Sequence, residues 1–274
     1  MLTLAQVSSY FDRTPAYDST GSTLLFYCQV EPFDDSRRDS SSAHRRILSV
    51  APGVDIPQER VIRLFERNWL IGTSEADGME DMHRIKYVIA QAPRQMRISS
   101  LGEYLAGIST QEAWAAAYWA KDVRQTETSS SYPQMYDVFT VVPVQPRAVL
   151  WDGAEQFLVM SPRDMPSGFL SAHSLKLDKA VETVEMESRT YDPVAGDYVL
   201  QTNNTTPALR VRWQSLFDYT SQMDERYQEG DVSVVLPPSA PVNTGSMLRF
   251  PDQSYQVTAV DTLSDAQVAH CRKF

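Results

Sequence analysis

Two segments of the chain, residues 61–87 and 246–273, share one order of features. Each begins with an apolar run that contains an arginine, followed by a polar corner and a stretch led by an aromatic residue, Trp69 or Tyr255. An acidic turn and a final stretch with histidine and basic residues close each segment. Short runs separated by turn residues are typical of an antiparallel β-meander. The chain is therefore expected to contain two small β-modules, either as true duplicates or as unrelated meanders with similar turns.

Composition favours a β-rich protein with an acidic surface. The chain has 274 residues, which suits one large domain or about two ordinary ones. Proline outnumbers glycine, 16 to 11, and this favours a loop-rich β protein over a helical bundle. The net charge of −10 would repel nucleic-acid phosphates unless the positive charge were segregated. No run approaches the roughly 20 apolar residues that cross a bilayer, so no membrane partner is expected.

One substantial helix is predicted near the middle of the chain. Ser109 and Glu112 have the spacing of a capping box, and the alanine-rich stretch that follows places its aromatic residues at helical spacing. These features predict a helix over about 109–124. A shorter helical stretch is predicted around 99–106, where Gly102 is unfavourable.

The predicted fold is mainly β with one substantial helix, a β-rich α+β protein. Two small β-barrel or meander modules are joined by a β-rich middle region. The predicted parts are an arm or loose N-terminal segment at 1–20, a first β-module with the helix at 21–125, the middle region at 126–205 and a C-terminal β-module at 206–274.

The sequence contains no recognisable catalytic motif. Its four histidines are far apart and form no i, i+4 pair, so no metal site is expected. Neither a nucleophile elbow nor a phosphate-binding glycine loop occurs. Cys28 and Cys271 are too few for a disulfide framework and are predicted to be buried free thiols. We therefore expect no enzyme, no cofactor and no catalytic residue, and a hydrolase with an unrecognised site is the less favoured alternative.

Basic residues are concentrated in the polar stretch 31–46. This stretch is either a solvated loop or a charged contact with an acidic neighbour such as another copy of the chain. Two histidines occupy matching places in the two meanders, which suits a structural or interface role. The candidate interface residues are Arg37, Arg38, Arg45, Arg46, His83 and His270.

The C-terminal 45 residues or so carry a family resemblance. Gly230-Asp231 leads into the strand-like run VSVVL, MLRF and Tyr255-Gln256-Val257 follow, and His270–Lys273 closes the chain. This order resembles the small β-barrel head-completion proteins of tailed bacteriophages. Those proteins are stopper, adaptor and neck components that form rings between the portal and the tail. The middle of this chain, about 93–225, lies outside the resemblance.

The resemblance implies a non-enzymatic virion structural subunit that forms an oligomeric ring in the head-to-tail connector, the neck or the tail. Its partners would be further copies of itself and neighbouring portal, adaptor or tail subunits, and it would be assembled in the cytoplasm of a bacterial host. The ring could be a passive conduit for DNA, because an acidic lining repels the duplex. The alternative is a carbohydrate- or peptide-binding β-module that uses Trp69 or Tyr255 as a stacking platform.

Overall fold

The computed structural model describes residues 14–32, 44–74, 84–91, 93–119, 135–164, 170–177, 180–194, 196–212 and 231–274. The predicted β-rich fold is confirmed, because these residues form mainly strands, arranged in three closed six-stranded barrels. The chain also divides into two compact units. Unit 1 comprises 1–97, 112–146 and 161–174, and unit 2 comprises 98–111, 147–160 and 175–274.

The first barrel lies in unit 1 and has the closed strand order β1-β2-β3-β6-β5-β4. Its strands are β1 (Thr14–Tyr17), β2 (Leu24–Pro32), β3 (Arg45–Val50), β4 (Val61–Leu64), β5 (Arg67–Ser74) and β6 (Ile85–Gln91). Alternate residues point inward and outward, as the period of two along a strand requires. Ile62, Leu64 and Ile71 belong to the buried core, while Val61 and Leu70 are buried in a second cluster.

The second barrel is formed by the middle of the chain, which was predicted to be only a β-rich connection. Its strands are β7 (Arg94–Ser99), β8 (Gln111–Trp119), β9 (Met135–Thr140), β10 (Val149–Trp151), β11 (Gln156–Asp164) and β12 (Leu170–Lys176). The closed order is β7-β8-β9-β12-β11-β10. The expectation of two β-modules is therefore corrected to three barrels.

The third barrel lies in unit 2 and has the order β13-β14-β15-β18-β17-β16. Its strands are β13 (Glu182–Asp192), β14 (Asp197–Arg212), β15 (Val232–Leu236), β16 (Met247–Arg249), β17 (Ser254–Thr262) and β18 (Gln267–Lys273). Its core contains Val184, Val234, Leu248 and Val257.

All three barrels are wound in the same way. In each, the first three strands pair in sequence, the last three pair in sequence, and strand three lies beside strand six while strand one lies beside strand four. The two segments that share features, 61–87 and 246–273, contain the last three strands of the first and third barrels, and both form antiparallel meanders as predicted. Within the described part of each barrel every strand has two neighbours, so the barrel itself presents no free sheet edge.

The predicted helix over 109–124 is wrong. Residues 111–119 form strand β8, in which Ala116 pairs with Phe139 of β9. Both side chains are fully buried in a cluster with Val61 and Leu70 of the first barrel. The small alanines leave space for the large neighbours, and this tertiary packing overrides the helical preference of alanine.

The short helix predicted around 99–106 is confirmed as α1 (Leu101–Leu105). The capping box is formed by Ser100 and Glu103, which repeat the S-x-x-E spacing of Ser109 and Glu112 nine residues earlier. Gly102 is required here, because a Cβ atom at this position would meet the backbone of Asp265. Among the described residues no helix is long or apolar enough to cross a membrane.

The N-terminal segment 1–20 was predicted to be an arm or a loose loop. Thr14–Tyr17 instead form β1, which pairs with β2 and with Arg63 of β4. Ala16 of this strand is fully buried in the first core. These residues are therefore part of the barrel.

Candidate interaction site

Arg45, one of the six candidate interface residues, is buried inside unit 1. It begins β3, and its guanidinium group lies 5.6 Å from the centroid of the Phe139 ring, within the range of a cation–π contact. The neighbouring Arg46 is half-buried and donates a hydrogen bond of 2.8 Å from Nη1 to the carbonyl oxygen of Arg45. Arg37, Arg38 and His83 lie outside the described residues.

His270 is buried in unit 2 and hydrogen-bonded within its own barrel. Its Nε2 atom lies 2.9 Å from Oδ2 of Asp261, and its Nδ1 atom lies 3.5 Å from Oγ of Ser233. This is a Ser-His-Asp set, the residue types of a hydrolytic triad. However, Ser233 is completely buried, whereas a serine that attacks a substrate must be accessible. The Asp261 side chain is half-exposed, whereas the aspartate of a hydrolytic triad is buried. The arrangement therefore ties β15, β17 and β18 together and offers no accessible nucleophile.

The two aromatic residues proposed as a stacking platform are both in barrel cores. Trp69 is buried and donates a hydrogen bond of 3.3 Å from Nε1 to the carbonyl oxygen of Leu64. Tyr255 is buried in edge-to-face contact with Phe250, with ring centroids 6.0 Å apart. Neither ring is available to stack on a sugar or a peptide.

Cys28 and Cys271 are buried free thiols, as predicted. Burial raises the pKa of the Cys271 thiol, and the nearby charge of Asp231 raises it further. The thiol is therefore protonated at neutral pH and unsuited to nucleophilic attack. In the part of the chain that the structure describes, no three His, Cys, Asp or Glu residues are grouped so that they could hold a metal ion.

A groove of about 650 Å³ in unit 1 is lined by positively charged side chains. Arg63 on β4, Arg67 on β5 and Arg94 on β7 contribute the positive charge, and Glu66 is an acidic residue in the lining. Among the described lining residues three are arginines and one is a carboxylate, and Arg63 donates a hydrogen bond of 3.4 Å to the carbonyl oxygen of Thr20. Arginine presents a planar set of N–H donors that suits carboxylates, so the groove has the chemistry of an acidic-segment binding site.

Tyr118 forms one wall of this groove and is rigidly held. Its hydroxyl donates a hydrogen bond to the carbonyl oxygen of Gln91, and its ring stacks on His44 with centroids 4.7 Å apart. Burial raises the pKa of the Tyr118 hydroxyl, although the charge of Arg45 and the hydrogen bond to Gln91 offset part of the rise. The wall is therefore a neutral, preorganised surface beside the arginines.

The β4–β5 hairpin at the groove ends in a strained turn. Leu64 pairs with Arg67, so Phe65 and Glu66 form a two-residue loop, and their φ angles are +51° and +63°. Two consecutive left-handed residues are the arrangement of a type I′ turn, which strongly prefers Asn-Gly. A left-handed residue other than glycine, asparagine or aspartate costs roughly 1–2 kcal/mol. Phe65 is nevertheless 63% exposed, so the protein places a large apolar side chain in solvent at a conformational cost.

In unit 2, the β13–β14 hairpin extends past its barrel. β16 pairs with Glu185–Glu187 of β13, and β15 pairs with Leu209–Arg212 of β14. Beyond a register shift at Met186/Ser188, residues 188–192 pair only with 197–201 within the described residues. We call this outer ribbon, 188–201, the hairpin arm. Five pairs at about 3.4 Å per residue make it about 17 Å long.

An exposed apolar residue follows β13. Val194 is 94% exposed, the highest exposure among the large hydrophobic residues described. Asp192 and Asp197 occupy directly opposed positions where the ribbon meets its turn.

Sequence reasoning selected the basic stretch 31–46 and missed the groove. Arg63, Arg67 and Arg94 are dispersed among apolar residues, and they come together only because β4, β5 and β7 meet. One local signal was present: Phe65-Glu66 separates two short strand-like runs by two residues, which is a hairpin spacing.

Comparison with known proteins gave no match: no protein-family model fits the chain, and no curated protein or solved structure is significantly similar to it.

Proposed function

We propose that the protein is a non-enzymatic structural subunit of a tailed-phage virion. In this role it assembles with further copies of itself into a ring in the head-to-tail connector, the neck or the tail, where it contacts portal, adaptor or tail subunits. It would be assembled in the cytoplasm of the bacterial host.

The observation that carries this proposal is the threefold repetition of one closed barrel within a single chain. Closed barrels cannot associate by adding strands to a sheet edge, so they associate through faces and projecting loops. Rigid bodies with projecting contact elements are suited to a closed ring, in which every subunit meets two neighbours in the same way.

Several surface features support an assembly role. The hairpin arm continues the β13–β14 pairing beyond the residues that pair with β15 and β16, and the strained turn at Phe65 exposes an aromatic ring. Leu25 and Tyr27 alternate with buried residues on β2 and are exposed on the outer face of the first barrel. Exposed apolar groups grouped on one surface mark contact sites more often than scattered ones do.

The acidic composition supports the further suggestion of a DNA conduit. A net charge of −10 gives the ring a negative field that repels a passing duplex and so lets it slide without adhering. The arginine-lined groove would have to be covered in the assembled ring, because an open positive groove would hold the phosphates.

The two alternative functions find less support in the geometry. Stacking on a sugar needs an exposed aromatic ring, and Trp69 and Tyr255 are buried. Hydrolysis needs an accessible nucleophile, and Ser233 is buried beside His270.

Negative-stain microscopy of the purified full-length chain tests the proposal. We expect rings of one rotational symmetry, and the same protein is expected to copurify with phage particles. A chain that remains single at all concentrations and is absent from particles would overturn the proposed function.

A further inference from the structure

We propose that the arginine-lined groove of unit 1 binds a short, extended, acidic segment of a neighbouring protein subunit. Arg63 and Arg67 are the groups that hold its carboxylates. The identity of the partner as a subunit of the same virion rests on the proposed function above, whereas the chemistry of the segment follows from the groove. The segment carries two acidic residues and at least one apolar side chain.

The two arginines belong to one hairpin and line one groove. Arg63 of β4 pairs with Asn68 of β5, and Arg67 is the residue before Asn68. Backbone positions so close to direct opposition in an antiparallel pair lie within about 8 Å of each other. Alternate residues of an extended chain are about 7 Å apart and point to the same side. Acidic residues at positions i and i+2 of an extended segment therefore match the spacing of the two arginines.

Arg63 is held in place by its own chain. Its Nη1 atom donates the hydrogen bond of 3.4 Å to the carbonyl oxygen of Thr20. Its side chain also crosses Gly21, where a Cβ atom would lie 2.9 Å from Cδ of Arg63. A guanidinium group has five N–H donors, so donors remain for a ligand. Because the side chain is already positioned, it loses less conformational entropy when a carboxylate binds.

Arg67 is exposed and available to a ligand. In the part of the chain that the structure describes, its side chain makes no hydrogen bond and no ion pair. Arg94 also lines the groove but has a partner within the chain, so it is not counted among the carboxylate-binding groups. Arg67 can form a charge-assisted hydrogen bond to an incoming carboxylate without first breaking an internal one.

The groove also offers apolar surface to the segment. Pro93, Ala117 and the neutral wall residue Tyr118 line it. Phe65 is 63% exposed in the turn next to Glu66 of the lining. Exposed ion pairs alone contribute little, so a stable contact needs apolar groups beside its charged pairs. The segment is therefore expected to carry an apolar side chain next to its acidic residues.

The charges favour a protein segment over a nucleic acid. Glu66 places a carboxylate in the lining, and the whole chain has a net charge of −10. A DNA duplex carries a charge about every 1.7 Å along its axis, so it would meet this carboxylate and be repelled by the rest of the chain. A short segment with two acidic residues places its charges only at the two arginines.

Selection from a random dodecapeptide display library on the full-length chain tests the class of ligand. We expect the enriched peptides to carry acidic residues at i and i+2 beside an apolar residue. They should not be retained by the full-length double variant Arg63→Gln, Arg67→Gln. No enrichment, enriched peptides without the acidic pair, or equal retention by the double variant would each overturn the inference.

Fluorescence anisotropy with the most enriched peptide measures the contribution of each residue. Arg67→Gln should weaken binding at least about threefold and the double variant at least about tenfold, because charge-assisted hydrogen bonds are lost. Glu66→Gln should strengthen binding about two- to fivefold, because a like charge leaves the groove. Arg272→Gln is the matched control, since Arg272 is exposed in β18 and does not line the groove, and its affinity should be unchanged. Unfolding midpoints like that of the wild type show that the variants fold.

A labelled DNA duplex is the second probe. Duplex binding that is lost in the double variant, without binding of an acidic peptide, would assign the groove to phosphates and overturn the inference. Rings without peptide binding overturn the acidic-segment site and leave the proposed function standing. Peptide binding by a chain that forms no rings and is absent from particles overturns the proposed function and leaves the site standing.

Discussion

Gly102 and Asp265 approach each other so closely that a Cβ atom at Gly102 would lie 2.3 Å from the carbonyl oxygen of Asp265. The amide of Gly102 also donates a hydrogen bond of 3.0 Å to Oδ2 of Asp265. Within unit 2, this contact holds α1 against the turn between β17 and β18. The helix that follows β7 is therefore packed against the third barrel.

Gly102→Ala is expected to destabilise unit 2 by about 2 kcal/mol, because backbone must move to admit the methyl group. The same substitution in an open helix would be favourable, so a loss can come only from the contact. Gly107→Ala is the comparison, since Gly107 has open space but a φ of +69°, and it should cost about 1 kcal/mol. The free energy of unfolding in urea is measured for both variants. A Gly102→Ala chain that is as stable as the wild type would contradict the close contact with Asp265.

Arg210→Met should lower the free energy of unfolding by about 2 kcal/mol, because it removes the charge-assisted hydrogen bonds between Arg210 and the partly buried Glu182. Arg210 is largely buried, bonds both oxygens of Glu182 at 2.7 Å and lies 2.8 Å from Asp252, with its guanidinium 4.3 Å from the centroid of the Phe250 ring. Burial by itself would lower the pKa of Arg210, but the hydrogen bonds to Glu182 and Asp252 raise it above its ordinary value.

The control for this change is Arg97→Met. Arg97 forms an exposed ion pair with Glu112 at 3.6 Å, and such pairs contribute less than about 1 kcal/mol. The free energies of unfolding of the two variants in urea should therefore differ by at least about 1 kcal/mol, and equal losses would show that the Arg210 network contributes no more than a surface pair.

Ala116→Leu tests the assignment of residues 111–119 to a strand. Ala116 is fully buried opposite Phe139, so a larger side chain should destabilise unit 1 by about 1–3 kcal/mol. Ala117→Leu, one residue on and only partly buried, should have a smaller effect, since neighbours in a strand face opposite sides. Equal losses at the two positions would contradict the alternation.

Replacing Phe65-Glu66 by Asn-Gly should stabilise unit 1 by about 1 kcal/mol or more, because these residues adopt left-handed angles at low cost. The thermal unfolding midpoint is expected to rise. A fall in the midpoint would mean that Phe65 contributes packing that offsets the strain of its φ of +51°.

Ionisation of Tyr104 is expected to make the free energy of unfolding depend on pH in the alkaline range. Burial raises the pKa of Tyr104 from 10.0 to about 12. Above about pH 10 the unfolded chain loses the proton first, so the free energy of unfolding falls as the pH rises from about 10 to 12. Tyr104→Phe should show a smaller fall over this range, measured by urea unfolding at several pH values. An equal fall in both proteins would contradict the shift.

The strands near the two meanders could be predicted because their alternation and turns are local signals. Trp69 and Tyr255 were expected to lead strands, and in the structure they lie near the start of β5 (Arg67–Ser74) and β17 (Ser254–Thr262). The alanine-rich stretch at 111–119 could not be assigned locally, because its preference is helical and only the packing of Phe139 makes it a strand. Ser100 and Ser109 begin the same S-x-x-E spacing, but in the structure the first caps α1 whereas Glu112 lies in β8, so the spacing alone does not identify a helix start.

The β13–β14 hairpin is local, and strands at 181–190 and 196–201 with a turn at 192–197 could be predicted from the sequence. The groove could not, because Arg63, Arg67 and Arg94 come together only in the folded chain. Arg45, which stood out as a surface charge in a basic stretch, is buried on Phe139. A charged residue in a sequence is expected at the surface, but tertiary contacts decide whether it is exposed or buried.

Native mass spectrometry of the full-length chain tests the central claim of ring assembly most directly. The monomer mass is 31.0 kDa. The account predicts one dominant species at a single whole-number multiple of that mass, three or more, whose share rises with protein concentration. A spectrum that contains only the 31.0 kDa monomer at every concentration would contradict it.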